Sequence, residues 1–459
     1  MSSDGIQAAE RKMREDGQAE EAIKAFRSAY ERVLAGESAM IPSSELEPAS
    51  DVPTFEDLPE PDPREALEKV VAIKLNGGLA TTMGLRSPKS LVEARDGHSF
   101  LEIIIGQTLS LRRRHDVRLP LVLMNSEATR EATLEALARY PELDAGAPAE
   151  FMQSMIPKLD AERLEPIEWP QAPGLEWNPP GHGDVYGALR RSGMLATLLE
   201  HGFRYAMISN SDNLGASIEP RIAGFMAAEQ APFVMEVVRG TEADRKGGHI
   251  GRLRSDGRLV LRETAQTPKE DEESFRDYQH WRYYNTNNLW LDLQVLSDVL
   301  ERSGGVLELP LILNRKTVDP RDPGTPEVLQ LESAMGAAIG TFPGARLLCV
   351  PRTRFIPVKT TDDLLVMRSD VYSLTDDFVV EPVPERRGSL PYVELESRFY
   401  KLLDDFDARF PDGPPSLREA ERLRVAGDFT FGAGVIVRGS VQLSSDEPVR
   451  IEPGTVLSE

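Results

Sequence analysis

The sequence has almost no cysteine and comparatively little positive charge. Its single thiol, Cys349, excludes an internal disulfide and a metal site built on several cysteines. Lysine and arginine together number 53 against 75 aspartates and glutamates, which gives a net charge of −22. Such a charge repels phosphate backbones, so binding to nucleic acid or to an anionic membrane is not expected.

Long apolar runs are also missing. No stretch approaches the roughly 20 apolar residues that span a bilayer, and the charged start has no apolar signal core. With the single thiol, these features predict a cytoplasmic protein. The hydrophobic share of 40% and aromatic share of 7% still suffice to fill packed cores, and a chain of 459 residues predicts two or three domains.

Three regions differ in their patterns. Residues 1–65 combine an amphipathic helix or helix pair, expected over 5–35, with a proline-rich acidic linker. Residues 66–380 alternate apolar runs with helical patterns, which predicts an α/β catalytic domain: a mixed, mostly parallel sheet with helices on both faces. Residues 381–459 show apolar residues six apart with glycines between them, which predicts two or three rungs of a parallel β-helix; a β-hairpin is the alternative.

The central region carries the strands that should position a ligand. Ligands bind beyond the carboxyl ends of strands in such sheets, so the residues just after each strand are candidates for a site. The expected strands are Val70–Leu75, Leu121–Met124, Tyr205–Ser209, Phe233–Val238, Arg258–Arg262 and Leu347–Val350.

The most distinctive segment follows the first of these strands. It reads Lys74-Leu75-Asn76-Gly77-Gly78-Leu79-Ala80-Thr81-Thr82-Met83-Gly84 and continues to Ser87-Pro88-Lys89-Ser90. Paired glycines let backbone amides approach an anion or a flat base without a Cβ in the way, and Lys89 adds a mobile charge. Alone, the segment also fits an ordinary glycine turn. It is not a Walker loop, because a proline precedes Lys89 and the glycine pair is far from it.

This segment resembles the eukaryotic-type UTP–glucose-1-phosphate uridylyltransferase family. The resemblance covers about residues 70–375 and implies a Rossmann-like nucleotide-diphospho-sugar transferase domain with a short C-terminal left-handed parallel β-helix. It also implies Mg²⁺-dependent formation of UDP-glucose and pyrophosphate from UTP and glucose 1-phosphate. The further motifs that carry it, in order, are Phe151-Met152-Gln153-Ser154, Pro179-Pro180-Gly181-His182-Gly183-Asp184, Ser209-Asn210-Ser211-Asp212-Asn213, Lys246-Gly247-Gly248-His249, Tyr284-Asn285-Thr286-Asn287-Asn288-Leu289-Trp290 and Pro357-Val358-Lys359-Thr360-Thr361-Asp362.

The resemblance implies three sets of site residues. The catalytic set is Lys89, Lys359 and Asp212, with Asp212 as the protein ligand of Mg²⁺. The set expected to bind UTP is Leu75, Asn76, Gly77, Gly78, Gln153 and Gly183. The set expected to bind the sugar phosphate is His182, Asn210, Gly248, Glu263, Asn285 and Asn287.

Several of these residues also have support from their own chemistry. Asp212 follows a strand, where a carboxylate can hold Mg²⁺ between phosphates, although an Asx turn is about as common there. Gln153 offers the donor and acceptor that a uracil edge needs. Asn285 and Asn287 are expected to alternate on one face of a strand over Tyr283–Leu291 and to suit sugar hydroxyls, two of which Glu263 could bridge.

Three segments depart from the family pattern: Ala80, Leu85-Arg86-Ser87 and Met155-Ile156. The alternatives are the same reaction on galactose 1-phosphate or other sugar 1-phosphates, and a non-catalytic scaffold that binds UTP or UDP-sugars. N-acetylhexosamine 1-phosphate is disfavoured because that branch has a Thr-Arg pair in place of Thr81-Thr82. A hexapeptide-repeat acyltransferase is disfavoured by the small number of rungs, which could carry a homo-oligomer interface or simply cap the central domain.

Overall fold

A computed structural model describes residues 3–38, 40–79, 83–84, 87–386 and 388–458 of the chain. The sequence predictions that concern Ala80, Thr81-Thr82 and Leu85-Arg86 lie outside these residues. No helix in the described ranges combines the length and the apolar character needed to cross a membrane.

The helices of the described residues lie between and beside short strands. They are α1 (Ser3–Glu15), α2 (Glu20–Leu34), α3 (Pro63–Leu67), α4 (Phe100–His115), α5 (Glu127–Leu137), α6 (Val185–Arg191), α7 (Met194–Glu200), α8 (Pro220–Ala228), α9 (Glu272–Phe275), α10 (Tyr278–Trp281), α11 (Leu293–Arg302), α12 (Thr361–Arg368), α13 (Ser397–Tyr400) and α14 (Leu403–Arg409).

The strands of the N-terminal and central parts of the chain are β1 (Leu46–Pro48), β2 (Val70–Asn76), β3 (Glu93–Arg95), β4 (His98–Ser99), β5 (Leu121–Asn125), β6 (Glu150–Met152), β7 (Ile156–Pro157), β8 (Leu159–Asp160), β9 (Trp177–Asn178), β10 (Tyr205–Asn210), β11 (Phe233–Arg239), β12 (His249–Leu253), β13 (Leu259–Arg262), β14 (Tyr283–Asp292), β15 (Leu311–Thr317), β16 (Glu327–Ser333) and β17 (Arg346–Cys349). The strands that follow are β18 (Tyr372–Leu374), β19 (Val380–Pro382), β20 (Tyr392–Leu395), β21 (Ser416–Ala426), β22 (Phe429–Phe431), β23 (Ile436–Ser444), β24 (Val449–Ile451) and β25 (Val456–Leu457).

The central sheet has the order β1-β12-β14-β10-β2-β5-β6, with β13 beside β12, β11 beside β14, and β17 beside β11. Strands β10, β2, β5 and β6 are mutually parallel, as are β11 and β17. Strand β14 runs antiparallel to β10 and β11, and β12 is antiparallel to β1 and β13. The predicted mixed sheet is confirmed. Most of its described strands run in one direction, whereas β14 runs against its neighbours, β1 runs against β12, and β12 and β13 form a hairpin.

Helices cover both faces of this sheet, as predicted. Along β2, Val70 and Ala72 lie in one apolar core, whereas Val71 and Ile73 lie in another, because successive side chains of a strand point to opposite faces. The first core includes residues of α4, α8 and α12, and the second includes residues of α6, α7 and α11. All of β2 is therefore buried, which explains the apolar run over its first four residues.

The N-terminal region consists of two helices and an edge strand. Of the helix or helix pair expected over 5–35, the structure shows the pair, α1 and α2, and together they pack on Ile156, Leu159, Leu329 and Leu331. The proline-rich segment is more than a linker, since β1 adds a strand to the central sheet beside β12.

The C-terminal strands pair in parallel, which excludes the β-hairpin alternative. Strand β21 pairs with β23, β23 with β25, and β22 with β24. Partners lie twenty residues apart between β22 and β24 and between β23 and β25, as Phe429 with Val449 and Ile436 with Val456 show. Between β21 and β23 the spacing falls from twenty residues to eighteen, because the register shifts twice along β21. Phe431 of this region shares an apolar core with Leu364 of α12.

Candidate active site

Two parallel strands bring the glycine-rich loop and the acidic turn to the same edge of the sheet. β2 ends at Asn76 and β10 ends at Asn210, and their register pairs Leu75 with Asn210. The Leu75 carbonyl accepts the Ser211 N–H at 3.2 Å, and the Leu75 side chain lies in the core at 8% exposure. Leu75 therefore offers this edge only its backbone.

An ion pair joins the two segments. The Lys89 N–H donates to the Gly78 carbonyl at 3.2 Å, so Lys89 lies next to the glycine pair. Lys89 Nζ then lies 2.8 Å from Asp212 Oδ2, and both side chains are mostly buried. The other carboxylate oxygen, Asp212 Oδ1, is buried and has no hydrogen-bond partner among the described residues.

This unpartnered oxygen fits a metal ligand. A buried acceptor without a partner is costly, and a carboxylate oxygen is the ligand type that Mg²⁺ prefers. The described part of the chain contains no group of three or more His, Cys, Asp or Glu side chains that could hold a metal. A Mg²⁺ ion on Asp212 would therefore need substrate phosphates and water as its other ligands.

Lys359 is tied to the same turn through the backbone. The Val358 N–H donates to the Asp212 carbonyl at 3.1 Å, and the Lys359 N–H donates to Asp363 Oδ2 at 2.7 Å. The Lys359 side chain is exposed, and its ammonium makes no hydrogen bond or ion pair with any residue that the structure describes. A cation held next to the acidic turn without a partner is available to a phosphate.

His182 is neutral and has a defined tautomer. Its Nδ1 accepts the Met335 N–H at 2.9 Å, so the ring proton lies on Nε2. Burial, with a smaller contribution from the positive charge of Lys359, lowers the pKa of His182 to about 4. At neutral pH the ring can therefore donate a hydrogen bond from Nε2 but carries no charge.

Gly77 and Gln153 lie against each other and form one wall of the candidate site. A Cβ on Gly77 would lie 2.5 Å from Gln153 Oε1, so only glycine allows this contact. The adjacent Asn76 is 2% exposed, and its Nδ2 donates to Asn125 Oδ1 at 2.8 Å and to Thr133 Oγ1 at 2.9 Å. The Asn76 side chain thus binds β2 to its neighbours, and contact between Asn76 and a nucleotide would involve its backbone.

The loop around His182 is packed closely against Ser333. Gly181 has a φ of 80°, and a Cβ there would collide with the Ser333 backbone. A Cβ on Gly183 would collide with the Ser333 hydroxyl. The two glycines therefore let the loop carrying His182 lie directly on the end of β16.

Four of the six residues predicted to bind the sugar phosphate form a second wall: Gly248, Glu263, Asn285 and Asn287. A Cβ on Gly248 would lie 2.6 Å from Glu263 Oε2, so this glycine makes room for the carboxylate. Burial raises the pKa of Glu263, and the positive charge of Lys359 opposes that shift. The charge of Lys359 therefore acts on both His182 and Glu263.

The two asparagines on β14 do not alternate regularly, which corrects the sequence prediction. The pairing with β11 shifts between Glu236 and Val237, and Asn287 adopts a left-handed φ of 57°. This bulge turns the two side chains toward each other, and Asn285 Nδ2 donates to Asn287 Oδ1 at 2.9 Å. Asn285 Oδ1 accepts the Asn287 N–H at the same distance.

Sequence reasoning missed a buried ion pair beneath the site. Arg354 Nε and Nη2 donate to the two oxygens of Glu236 at 2.8 and 2.6 Å, and Glu236 is fully buried. Trp290 Nε1 and Asn288 Nδ2 complete the hydrogen bonds of this carboxylate, at 2.9 and 3.1 Å. The available signal was an acidic residue inside the apolar run Phe233–Val238.

Lys74 is a second buried charge that sequence reasoning left without a role. It is 3% exposed, and its Nζ donates to Ser209 Oγ at 2.7 Å and to the Ala216 carbonyl at 2.6 Å. Burial, aided by the charge of Arg354 and opposed by that of Glu236, lowers the pKa of Lys74 to about 7. Its contacts hold both ends of the turn that carries Asp212.

Comparison with known proteins gives the family. The family profile described as UTP–glucose-1-phosphate uridylyltransferase matches residues 23–438. The chain belongs to this family. The enzyme of that name from Hordeum vulgare is 38% identical over 457 residues, which cover 98% of this chain and 94% of that protein.

Solved structures agree with this assignment. A variant of UDP-glucose pyrophosphorylase from Leishmania major, crystallised in complex with UDP-glucose, is 42% identical with a TM-score of 0.93, and the match covers 100% of this chain and 99% of that one. A UDP-glucose phosphorylase from Trypanosoma brucei is 41% identical with the same TM-score, covering 99% and 98% of the two chains. The family predicted from the motifs and the mixed α/β fold are confirmed.

Proposed function

We propose that the protein converts UTP and glucose 1-phosphate to UDP-glucose and pyrophosphate, the reaction that gives its relatives their name. A phosphate oxygen of glucose 1-phosphate attacks the α-phosphorus of UTP. The bond from that phosphorus to the oxygen bridging to the β-phosphate breaks, and its electron pair leaves with pyrophosphate. The observation that carries the proposal is the Lys89–Asp212 pair with one unpartnered carboxylate oxygen, next to the unpaired ammonium of Lys359.

Asp212 is the residue that would hold Mg²⁺, through Oδ1. Bound there, the metal would neutralise negative charge on the phosphates. The Lys89 ammonium, which already donates a hydrogen bond to Asp212 Oδ2, would contact the α-phosphate and the leaving group. Lys359 provides a second cation that draws the two anionic substrates together.

The reaction needs no general base. The phosphate of glucose 1-phosphate is ionised at neutral pH, so alignment and charge neutralisation supply most of the catalysis. The neutral His182 suits this scheme, because Nε2–H can donate to a phosphate or sugar oxygen without removing a proton. Loss of one such positioned charge stabiliser should lower kcat by about 10²–10³-fold.

The two walls accommodate the remaining parts of the substrates. A uracil ring can pair with the Gln153 amide and lie against glycine backbone, while sugar hydroxyls match the carboxylate and amide groups of the opposite wall. The residues proposed at UTP are Leu75, Asn76, Gly77, Gly78, Gln153 and Gly183. Those proposed at the sugar phosphate are His182, Asn210, Gly248, Glu263, Asn285 and Asn287.

Pyrophosphate release from UTP and Mg²⁺ tests the proposal, with glucose 1-phosphate, galactose 1-phosphate and N-acetylglucosamine 1-phosphate supplied in parallel. We expect fast release with glucose 1-phosphate, abolished by a chelator and lowered by about 10²–10³-fold in Asp212→Ala and Lys89→Ala. Asp256→Ala is the control, because it breaks an exposed ion pair to Arg258 outside the site. Preference for another sugar would change the assigned substrate, and no release with any sugar from a folded protein that binds UTP would favour a binding scaffold.

Several finer predictions remain part of this proposal. The proposed domain boundaries are 1–65, 66–380 and 381–459. The parallel pairs of β20 to β25 support a short β-helix in the last of these, and its left hand is what the family resemblance implies. Its use as a homo-oligomer interface and the cytoplasmic location also stay predictions.

A further inference from the structure

Asn213, the residue after the proposed metal ligand, is buried at 2% exposure and uses both polar atoms of its side chain. Its Nδ2 donates to Asn288 Oδ1 and to the Arg354 carbonyl, each at 3.1 Å. Its Oδ1 accepts the Ile356 N–H at 3.0 Å. The proposed mechanism does not use this side chain.

These contacts join two catalytic segments. One is the turn that carries Asp212, and the other runs from Arg354 to Lys359. Asn213 also forms an isolated antiparallel bridge with Pro357, and the Val358 N–H donates to the Asp212 carbonyl. The backbones that carry the metal ligand and the second cation are therefore hydrogen-bonded to each other over consecutive residues.

The partners of Asn213 are themselves fixed. The bidentate contact between Arg354 and the buried Glu236 orients the Arg354 backbone, since a guanidinium fork on a carboxylate allows little rotation. Asn288 Nδ2 donates both to Glu236 Oε2 and to the Arg354 carbonyl, at 3.1 Å each. Asn213 thus connects the acidic turn to a rigid buried network below it.

We propose that Asn213 is a positioning residue that fixes the spacing between Asp212 and Lys359. The inference rests on the proposed function, in which these two groups act on phosphates of the same reacting pair. Displacement of a catalytic group by about 1 Å can cost on the order of 10²-fold in rate. The side chain that sets this spacing should therefore affect turnover without touching a substrate.

A double-mutant cycle tests the proposal, with kcat and the KM for UTP measured by pyrophosphate release. Asn213→Ala should lower kcat by about 10–100-fold and change the KM for UTP by less than about threefold, because the walls of the nucleotide site are untouched. In the Lys359→Ala background, Asn213→Ala should lower kcat much less than it does in the wild type. The ammonium whose position Asn213 controls is already absent there. Asn213→Asp keeps the acceptor for Ile356 but loses both donated bonds, so it should lower kcat in the same way as Asn213→Ala. It takes the place of Asn213→Ala in the cycle if that variant folds poorly.

Tyr400→Phe is the matched control for lost buried hydrogen bonds. The Tyr400 hydroxyl donates to the Phe429 carbonyl at 2.8 Å and accepts the Phe429 N–H at 3.2 Å, all within the C-terminal region. Its effect on kcat should be less than twofold and independent of Lys359. Near-normal kcat in both Asn213 variants, or effects that multiply fully with that of Lys359→Ala, would overturn the inference while leaving the reaction intact. No release from the wild type would overturn the proposed function itself, and the inference with it.

Discussion

Replacing Lys74 by methionine should change how the stability of the protein depends on pH. The pKa of Lys74 is about 7 in the folded protein, against an ordinary lysine value of 10.5. Below pH 7 both the folded and the unfolded chain hold this proton. Between pH 7 and 10.5 the unfolded chain binds one proton more, so the free energy of unfolding rises with pH. Methionine has a similar length and no proton, so the variant lacks this contribution.

The expected size follows from the two pKa values. Between pH 6 and pH 9 the difference in unfolding free energy between wild type and Lys74→Met should grow by roughly 2–3 kcal/mol in favour of the wild type. The loss of hydrogen bonds to Ser209 and Ala216 adds a term with little pH dependence, because a neutral amine keeps two N–H groups and can still make both bonds.

Urea unfolding at pH 6, 7, 8 and 9, followed by tryptophan fluorescence, measures this difference. Trp290 is buried in one of the two cores of the central sheet and reports on its unfolding. Lys24→Met on the exposed face of α2 is the control and should give a difference that stays constant with pH. A constant difference for Lys74→Met, or one that shrinks as pH rises, would show that the buried amine does not lose its proton near neutrality.

Three further predictions concern the proposed site and use the pyrophosphate release assay. Glu263→Gln should raise the KM for glucose 1-phosphate by about tenfold with a smaller effect on the KM for UTP, because charged hydrogen bonds to hydroxyls are lost; an unchanged KM would remove Glu263 from the sugar site. Gly77→Ala should raise the KM for UTP, because the added Cβ would lie 2.5 Å from Gln153 Oε1, whereas Gly174→Ala, with open space around its Cβ, should not. Treatment with a thiol-alkylating reagent should leave kcat unchanged, because Cys349 is buried in β17 and burial raises the pKa of its thiol. Inhibition by the reagent that UTP prevents would contradict this prediction.

The sequence located most strands of the central sheet, because strands buried on both faces leave apolar runs that need no knowledge of their partners, but it did not predict β1, β6 or β12. Val70–Asn76 and Leu121–Asn125 were each predicted to within one residue. The order of these strands was not predictable, because sequence periodicity carries no information on which strands are neighbours. The antiparallel direction of β14 was not predictable for the same reason.

The candidate site shows the same division. Motifs identified Lys89, Asp212 and Lys359, and the structure brings their segments to one edge, although the motifs did not show that Lys89 pairs with Asp212. The pair of Glu236 and Arg354 was missed because its members are 118 positions apart. A charged residue within an apolar run indicates that a partner exists but not which residue it is.

The spacing of the C-terminal strands has a consequence for how this region can change in length. Partners lie twenty residues apart in two of the parallel pairs, whereas β21 accommodates two extra residues opposite β23 at two register shifts. An inserted residue that is not taken up by such a bulge would turn every later side chain of its strand from the core to solvent. Removing or adding one complete repeat of twenty residues would keep the same side chains in the apolar core. Tolerated length variants of this region should therefore be whole repeats, changes in the turns between strands, or single-residue bulges like those in β21, and this gives a rule for splicing or shortening it.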